Sequence, residues 1–185
     1  LSVQSSDIKY YLTGAGADGD AQSDPNASLG NYRSSSEVVP AVLENMFDNV
    51  SDGERTAGDT EYRCYCLKNS NGSDSLLSPK IWIQTDTGNV DDNISFAVEV
   101  PAGGDQDGNA QTIANESTTP SMGAGNVSDW SDAVSKGIGV GVDQGAHDVN
   151  LDAGEIIFVW IRRIVAAGAS GVSDEAVTIR VEGDN

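Results

Sequence analysis

Basic residues are scarce in this chain. Ten stand against twenty-nine acids, the formal net charge is -19, and the lysines are limited to Lys9, Lys68, Lys80 and Lys136. A surface this negative repels phosphate backbones and anionic lipid, which argues against nucleic acid and membrane surfaces as partners. Histidine is rarer still, with His147 alone. It has no cysteine at catalytic spacing and no serine motif near it, so it reads as an incidental loop residue. The two cysteines, Cys64 and Cys66, stand two apart in an apparent strand. Same-face neighbours in a strand are held roughly 6.5 Å apart, too far for an unstrained disulfide. As metal ligands they would need more partners than His147 can supply, so they read as core thiols. The longest apolar run, Glu155 to Val165, is eleven residues, too short to cross a membrane as a helix. Leu1 to Leu12 carries charges and no apolar core of signal-peptide length, and an opening Leu1 points to a processed chain or an incomplete start.

What is present is enough for one domain. A chain of 185 residues can bury a core without staples. The acids are scattered along it rather than blocked, so they do not form a disordered acidic tail. A scattered acidic, lysine-poor surface suits a very salty environment, where salt screens self-repulsion. An acidic marine or extracellular protein is the alternative.

The run EIIFVWIRRIV (Glu155 to Val165) is dense in β-branched and aromatic residues and reads as a strand buried on both faces. Ala176 to Glu182 is expected to pair beside it. Further strands are expected at Val3 to Leu12, Glu61 to Asn69, Lys80 to Thr85 and Asn93 to Val100, with a short edge strand at Gln111 to Ala114. Gly137 to Val142 (GIGVGV) alternates Gly with Ile and Val and can lie flat where another backbone approaches closely. Glu37 to Val50 carries one apolar stripe after Pro40, through Val42, Leu43, Met46, Phe47 and Val50, and predicts the one helix. Ser51 to Thr60 reads as a turn cluster. Residues 14–36 form a polar stretch whose apolar footholds are Leu29 and Tyr32, and such a length without a core of its own predicts an arm that grips a neighbour. The pattern predicts an all-β fold, an antiparallel β-sandwich of jelly-roll or immunoglobulin type with one short helix and long loops, spanning 1–185 as a single domain.

Candidate chemistry is thin. Asp105, Asp107, Asn109, Gln111 and Glu116 fall at the first, third, fifth, seventh and twelfth positions of a calcium-type loop, although Ala110 stands where that loop needs Gly. Bound calcium and a solvated Asp-rich turn are the two readings; no other cofactor is indicated. Asn-x-Ser sequons at Asn26, Asn49, Asn71, Asn115 and Asn126 are glycosylation candidates, with a sixth at Asn93 that begins a strand and is expected to be partly buried. Glycosidase-type carboxylate pairs are not singled out by any spacing, and the chain reads as a non-enzyme. Arg162 and Arg163 end the most buried strand, where an unpaired guanidinium is costly. At least one is expected to meet a carboxylate, from this chain or from a neighbouring subunit. Leu29, Tyr32 and Trp130, set in long loops, are the expected exposed contacts of an obligate assembly.

Five blocks, Ser23 to Ser35 (SDPNASLGNYRSS), Met46 to Asn69 (with GDTEYRC), Lys80 to Thr85 (KIWIQT), Leu151 to Ser170 (with WIRR) and Val177 to Asp184 (VTIRVEGD), come in the order found in a family of small proteins encoded in tailed-virus and prophage genomes. The chain resembles that family over well more than half its length. The resemblance implies a virion structural component without catalytic residues, an oligomeric capsid decoration or turret protein or otherwise a tail component. Its expected location is the virion, and its partners other copies of itself and virion proteins such as the major capsid protein. Cys66 and the acidic replacements depart from the family, and the latter suit a virus of a halophilic archaeon. The alternative is a carbohydrate- or receptor-binding module in which Trp82, Trp130 and Tyr65 line a groove.

Overall fold

The computed structural model describes residues 2–42, 44–171 and 176–184. Its strands are β1 (Ile8–Ala15), β2 (Gly30–Glu37), β3 (Asp59–Asn69), β4 (Leu77–Thr85), β5 (Asp92–Glu99), β6 (Asn109–Thr112), β7 (Val140–Gly141), β8 (Ile156–Val165) and β9 (Thr178–Asp184), with one helix, α1 (Asp52–Ala57). They form a six-stranded sheet in the order β5-β8-β3-β1-β2-β6 and a three-stranded sheet in the order β7-β4-β9. All strand pairings are antiparallel, and the two sheets make the expected all-β sandwich.

β8 holds a partner on each side along its length, β3 from Asp59↔Val165 to Lys68↔Ile156 and β5 from Asp92↔Val165 to Glu99↔Phe158. Alternate residues of a strand face opposite ways. One face of this triplet, with Tyr65, Leu67, Phe96, Val98, Ile157 and Val159, packs against Ile81, Trp82 and Ile83 of β4. The other face, with Cys64, Cys66, Phe158 and Trp160, is also fully buried, although no second sheet covers it. The six-stranded sheet covers that face by curling. Register shifts between β1 and β2 bend the strands. Gly14 and Gly30 adopt positive φ, and a Cβ at either would collide with a main-chain carbonyl, that of Ala27 or Gln111. Across the resulting seam, Glu99 of β5 accepts hydrogen bonds from Gln111 N (2.7 Å) and Gln111 Nε2 (3.1 Å) of β6 and from Trp160 Nε1 (2.6 Å) of β8.

The structure corrects four of the expectations. The stretch 14–36 is not an arm throughout, because Gly30–Glu37 is β2, inside the large sheet. Its inward positions hold Gly30 and Ser34, which are buried without being apolar, so no hydrophobic alternation marks the strand. Glu37 to Val50 is not a helix: Ala41 and Glu44 adopt positive φ, which breaks a right-handed helix. Its apolar residues serve singly instead, Met46 and Phe47 packing into the core while Val39 and Val42 stay exposed; Leu43 lies outside the described residues. The helix forms next door in the supposed turn cluster, where Ser51 and Glu54 make a reciprocal capping box. The last strand pairs with β4 in the small sheet rather than beside β8, whose two edges are already taken. Both faces of β3 are covered like those of β8, every residue from Glu61 to Leu67 being buried. Gly139, by contrast, behaves as the GIGVGV pattern predicts, with the Ile81 carbonyl oxygen 2.8 Å from where its Cβ would stand.

Two consequences can be measured. Glu99→Ala would strand the Gln111 amide and the buried Trp160 indole without acceptors, and is expected to cost about 3 kcal/mol in urea unfolding. Burial pushes the thiols of Cys64 and Cys66 well above the ordinary range. Both are expected to resist alkylation in the native protein and to label together once it unfolds.

Candidate functional site

The register sets charged side chains opposite one another at one end of the inter-sheet face. Glu61 of β3 lies directly across from Arg163 of β8, and Arg63 follows on the same face. Glu61 and Arg63 are 2% and 0% exposed, so each requires a partner inside the protein. Arg163 Nε donates to Glu61 Oε2 at 2.8 Å, Nη2 reaches the same oxygen, and Nη1 donates to the Asp48 carbonyl at 2.9 Å. Arg63 Nη2 donates to Glu116 Oε2 at 2.6 Å and to Asn26 Oδ1 at 2.9 Å. Both guanidinium carbons face the Phe47 ring, at 5.4 Å for Arg63 and 4.7 Å for Arg163. The Asp48 carboxylate lies 4.0 Å and 3.8 Å from the two. Burial pushes the Glu61 carboxyl up, and the Arg163 guanidinium opposes the shift. Tyr65 Oη donates to the Met46 carbonyl at 2.6 Å and fixes the segment that carries Phe47 and Asp48. This cluster locks the strand ends to residues 46–48 and presents no reactive group.

Of the two arginines, Arg163 meets the expected carboxylate within the chain. Arg162 faces the opposite side, where Nε donates to Ser95 Oγ at 2.8 Å and its guanidinium carbon lies 4.8 Å above the Trp130 ring. Trp130 in turn tilts against Tyr62, ring centroids 5.7 Å apart. These groups border a depression of about 160 Å³ with Asn93, Ser131 and Asp132. Trp130 and Leu29 are therefore not free loop contacts: both pack on the cluster inside the curl, and Tyr32 is half-buried on β2. The exposed large apolar residues are others, Val90, Ile138, Val134, Val39 and Val42 foremost. Tyr65 and Trp82 are buried in the inter-sheet core, so they do not line a sugar groove with Trp130.

The calcium-type loop is not assembled. Asn109 and Gln111 lie in β6, Gln111 is bound to Glu99, and Glu116 is paired with Arg63, while Asp105 and Asp107 stay exposed. A strand holds alternate side chains on one line, and five positions cannot then wrap one ion. Asn26, Asn49, Asn115 and Asn126 are exposed, and Asn93 is exposed as well rather than partly buried. Asn71 is half-buried, with Nδ2 donating to Asp7 Oδ2 at 2.9 Å.

His147 is the residue the sequence reading undervalued. Its side chain is 1% exposed, and Nε2 lies 4.0 Å from Glu155 Oε2. Glu155, Asp105, Asp107, Gln106, Gly154 and Lys68 border a larger depression of about 530 Å³. The available signal was the accumulation of Asp143, His147, Asp148, Asp152 and Glu155 immediately before the central strand.

Arg163→Ala would leave Glu61 buried without a counter-charge and is expected to cost about 3–5 kcal/mol. The double replacement Glu61→Leu/Arg163→Met removes both charges and should cost less than the single one, as read from paired urea titrations. Comparison of the chain with protein-family models, with curated proteins and with solved structures gives no match.

Proposed function

We propose that the chain is a non-enzymatic structural subunit of a tailed-virus particle, a capsid decoration or turret protein that assembles with copies of itself in high salt. The order of its sequence blocks supports the viral setting, and the one observation that carries self-assembly is an open sheet edge. The outer edge of β5 is covered by residues 126–131, through Phe96 with Ser131 and Val98 with Ser128. The edge of β6 is closed by Ala102, bonded to Asn109 in both directions. β7 offers only Val140–Gly141. β9 runs the seven residues Thr178–Asp184, and among the described residues its outward main chain from Thr178 to Glu182 has no hydrogen-bond partner.

An open strand of this length is a template for another strand. Its sequence favours a second copy of itself. Thr178, Arg180, Glu182 and Asp184 share the outer face, while Ile179, Val181 and Gly183 face inward. Within one chain Arg180 Nη2 already meets Glu182 Oε2 at 2.9 Å. Two β9 strands paired antiparallel about a two-fold axis at Val181 set Arg180 of each against Glu182 of the other as well, joining the charges into one alternating cluster. Opposite charges directly across a ladder stabilise it by about 0.2–1 kcal/mol each, and symmetry supplies the pair twice.

Light scattering in high salt is expected to give a closed oligomer that co-sediments with virus particles; a monomer absent from particles would remove the reading. Arg180→Glu puts like charges opposite one another and should weaken association about tenfold or more. The swap Arg180→Glu/Glu182→Arg should restore it, and an oligomer indifferent to both variants would move the interface away from β9.

A further inference from the structure

We propose that Asp105, His147 and Glu155 form a binding site for a divalent transition-metal ion of the zinc class, independent of the assembly interface. His147 Nδ1 lies 2.7 Å from the Asp148 carbonyl oxygen. A carbonyl oxygen only accepts, so the proton of that contact sits on Nδ1, and Nε2 is the nitrogen that can offer a lone pair to a metal ion. That Nε2 is fully buried and has no hydrogen-bond partner. A buried acceptor without a donor is costly, and the two carboxylates beside it are acceptors too. Glu155 Oε2 is 4.0 Å away, and one ligand atom each of Asp105, His147 and Glu155 lie within 4.8 Å of one another. Three side chains that each offer a lone pair and converge in this way are stabilised by a cation.

The spacing and the surroundings suit a small one. Ligands about 2.1 Å from a tetrahedral ion stand roughly 3.4 Å apart, so His147 and Glu155 would close by roughly half an ångström and no pair by more than about 1.4 Å, within reach of side-chain rotation. The ligands are themselves held. The Asp148 carbonyl fixes the imidazole through Nδ1, and Asp152 N donates to Glu155 Oε2 at 2.7 Å. Ile156 N donates to the Asp105 carbonyl at 2.7 Å, tying the Asp105 loop to the start of β8. Such outer contacts orient metal ligands and set their affinity. One imidazole with two carboxylates favours zinc and its neighbours over calcium or magnesium, which take oxygen alone. Three protein ligands leave a position open toward the depression of about 530 Å³, which gives the ion an entry path. The second carboxylate grouping, Glu54, Asp59 and Glu61, does not compete, because Glu61 is bound to Arg163 and Glu54 caps α1.

The test titrates the full chain, stripped with chelator, with Zn2+ by calorimetry and with Co2+ by visible absorption. One ion per chain is expected, with the intense visible bands of four-coordinate Co2+. His147→Ala is expected to weaken binding about tenfold or more, and Asp107→Asn, at the rim of the depression, to leave it unchanged. Absence of saturable binding to the unaltered protein would overturn the site, whatever the variants do. Binding of equal strength in His147→Ala would overturn it as well, by assigning the ion to the acidic surface at large.

Discussion

A strand that is apolar on both faces must be covered on both, and β8 is such a strand. Phe158 and Trp160 point one way, Ile157, Val159 and Ile161 the other, and none is more than 2% exposed. The small sheet can cover only one side. The other side is closed by the same sheet bending over itself, which accounts for the irregular pairing of β1 with β2, the two positive-φ glycines at the bend, and the short β6. A curl of this kind brings edge strands near each other without ladder bonds to join them. Glu99 joins them instead, with three donors on one carboxylate, and the charge is tolerated in the interior because its lone pairs are satisfied.

The same closure explains why the ion pairs sit where they do. At the end of β3 and β8 the apolar pairs give way to Glu61 opposite Arg163, with Arg63 beside them. Replacing such groups by apolar ones is often neutral for stability, whereas breaking one member of a pair is not. What this cluster adds is specification. Phe47 and Asp48 are attached to both guanidinium groups, so a chain segment with no regular structure of its own is held in one position.

The legible parts of the fold were those whose burial is written in apolar side chains. β3, β4, β5 and β8 alternate or run apolar, and their bounds differ from the sequence reading by a few residues at most. β2 was illegible because its inward residues, Gly30 and Ser34, look like loop. The stripe at Val42, Met46 and Phe47 has helical spacing, yet the guanidinium groups and the Tyr65 hydroxyl that capture its end come from distant strands, and no local pattern records them. The partner of β9 was hidden for a related reason, since pairing is decided by which edges other strands leave free. At least one of Arg162 and Arg163 was expected to meet a carboxylate; that it is Arg163, and that Glu61 supplies the carboxylate, follows only from register. His147 could not be joined to Asp105 by spacing, because the curl and the loop before β8 bring them together.

Charge bears directly on the proposed assembly. Most of its few bases are engaged internally, Lys9 with Glu37, Arg33 with Asp18, Arg55 with Asp52, Arg63 with Glu116, Arg163 with Glu61, Lys136 with Asp184 and Arg180 with Glu182. The formal charge of -19 is therefore carried as uncompensated surface acid. Two copies approaching edge to edge meet that repulsion over many ångströms before Arg180 and Glu182 come within reach. At about 0.1 M salt the screening length is roughly 10 Å, and at about 1 M it is roughly 3 Å. Concentrated salt thus removes the long-range repulsion while leaving more of the close contact, in which the charges touch and the main chains bond. If copies assemble through β9 as proposed, this composition makes their association stronger as salt rises.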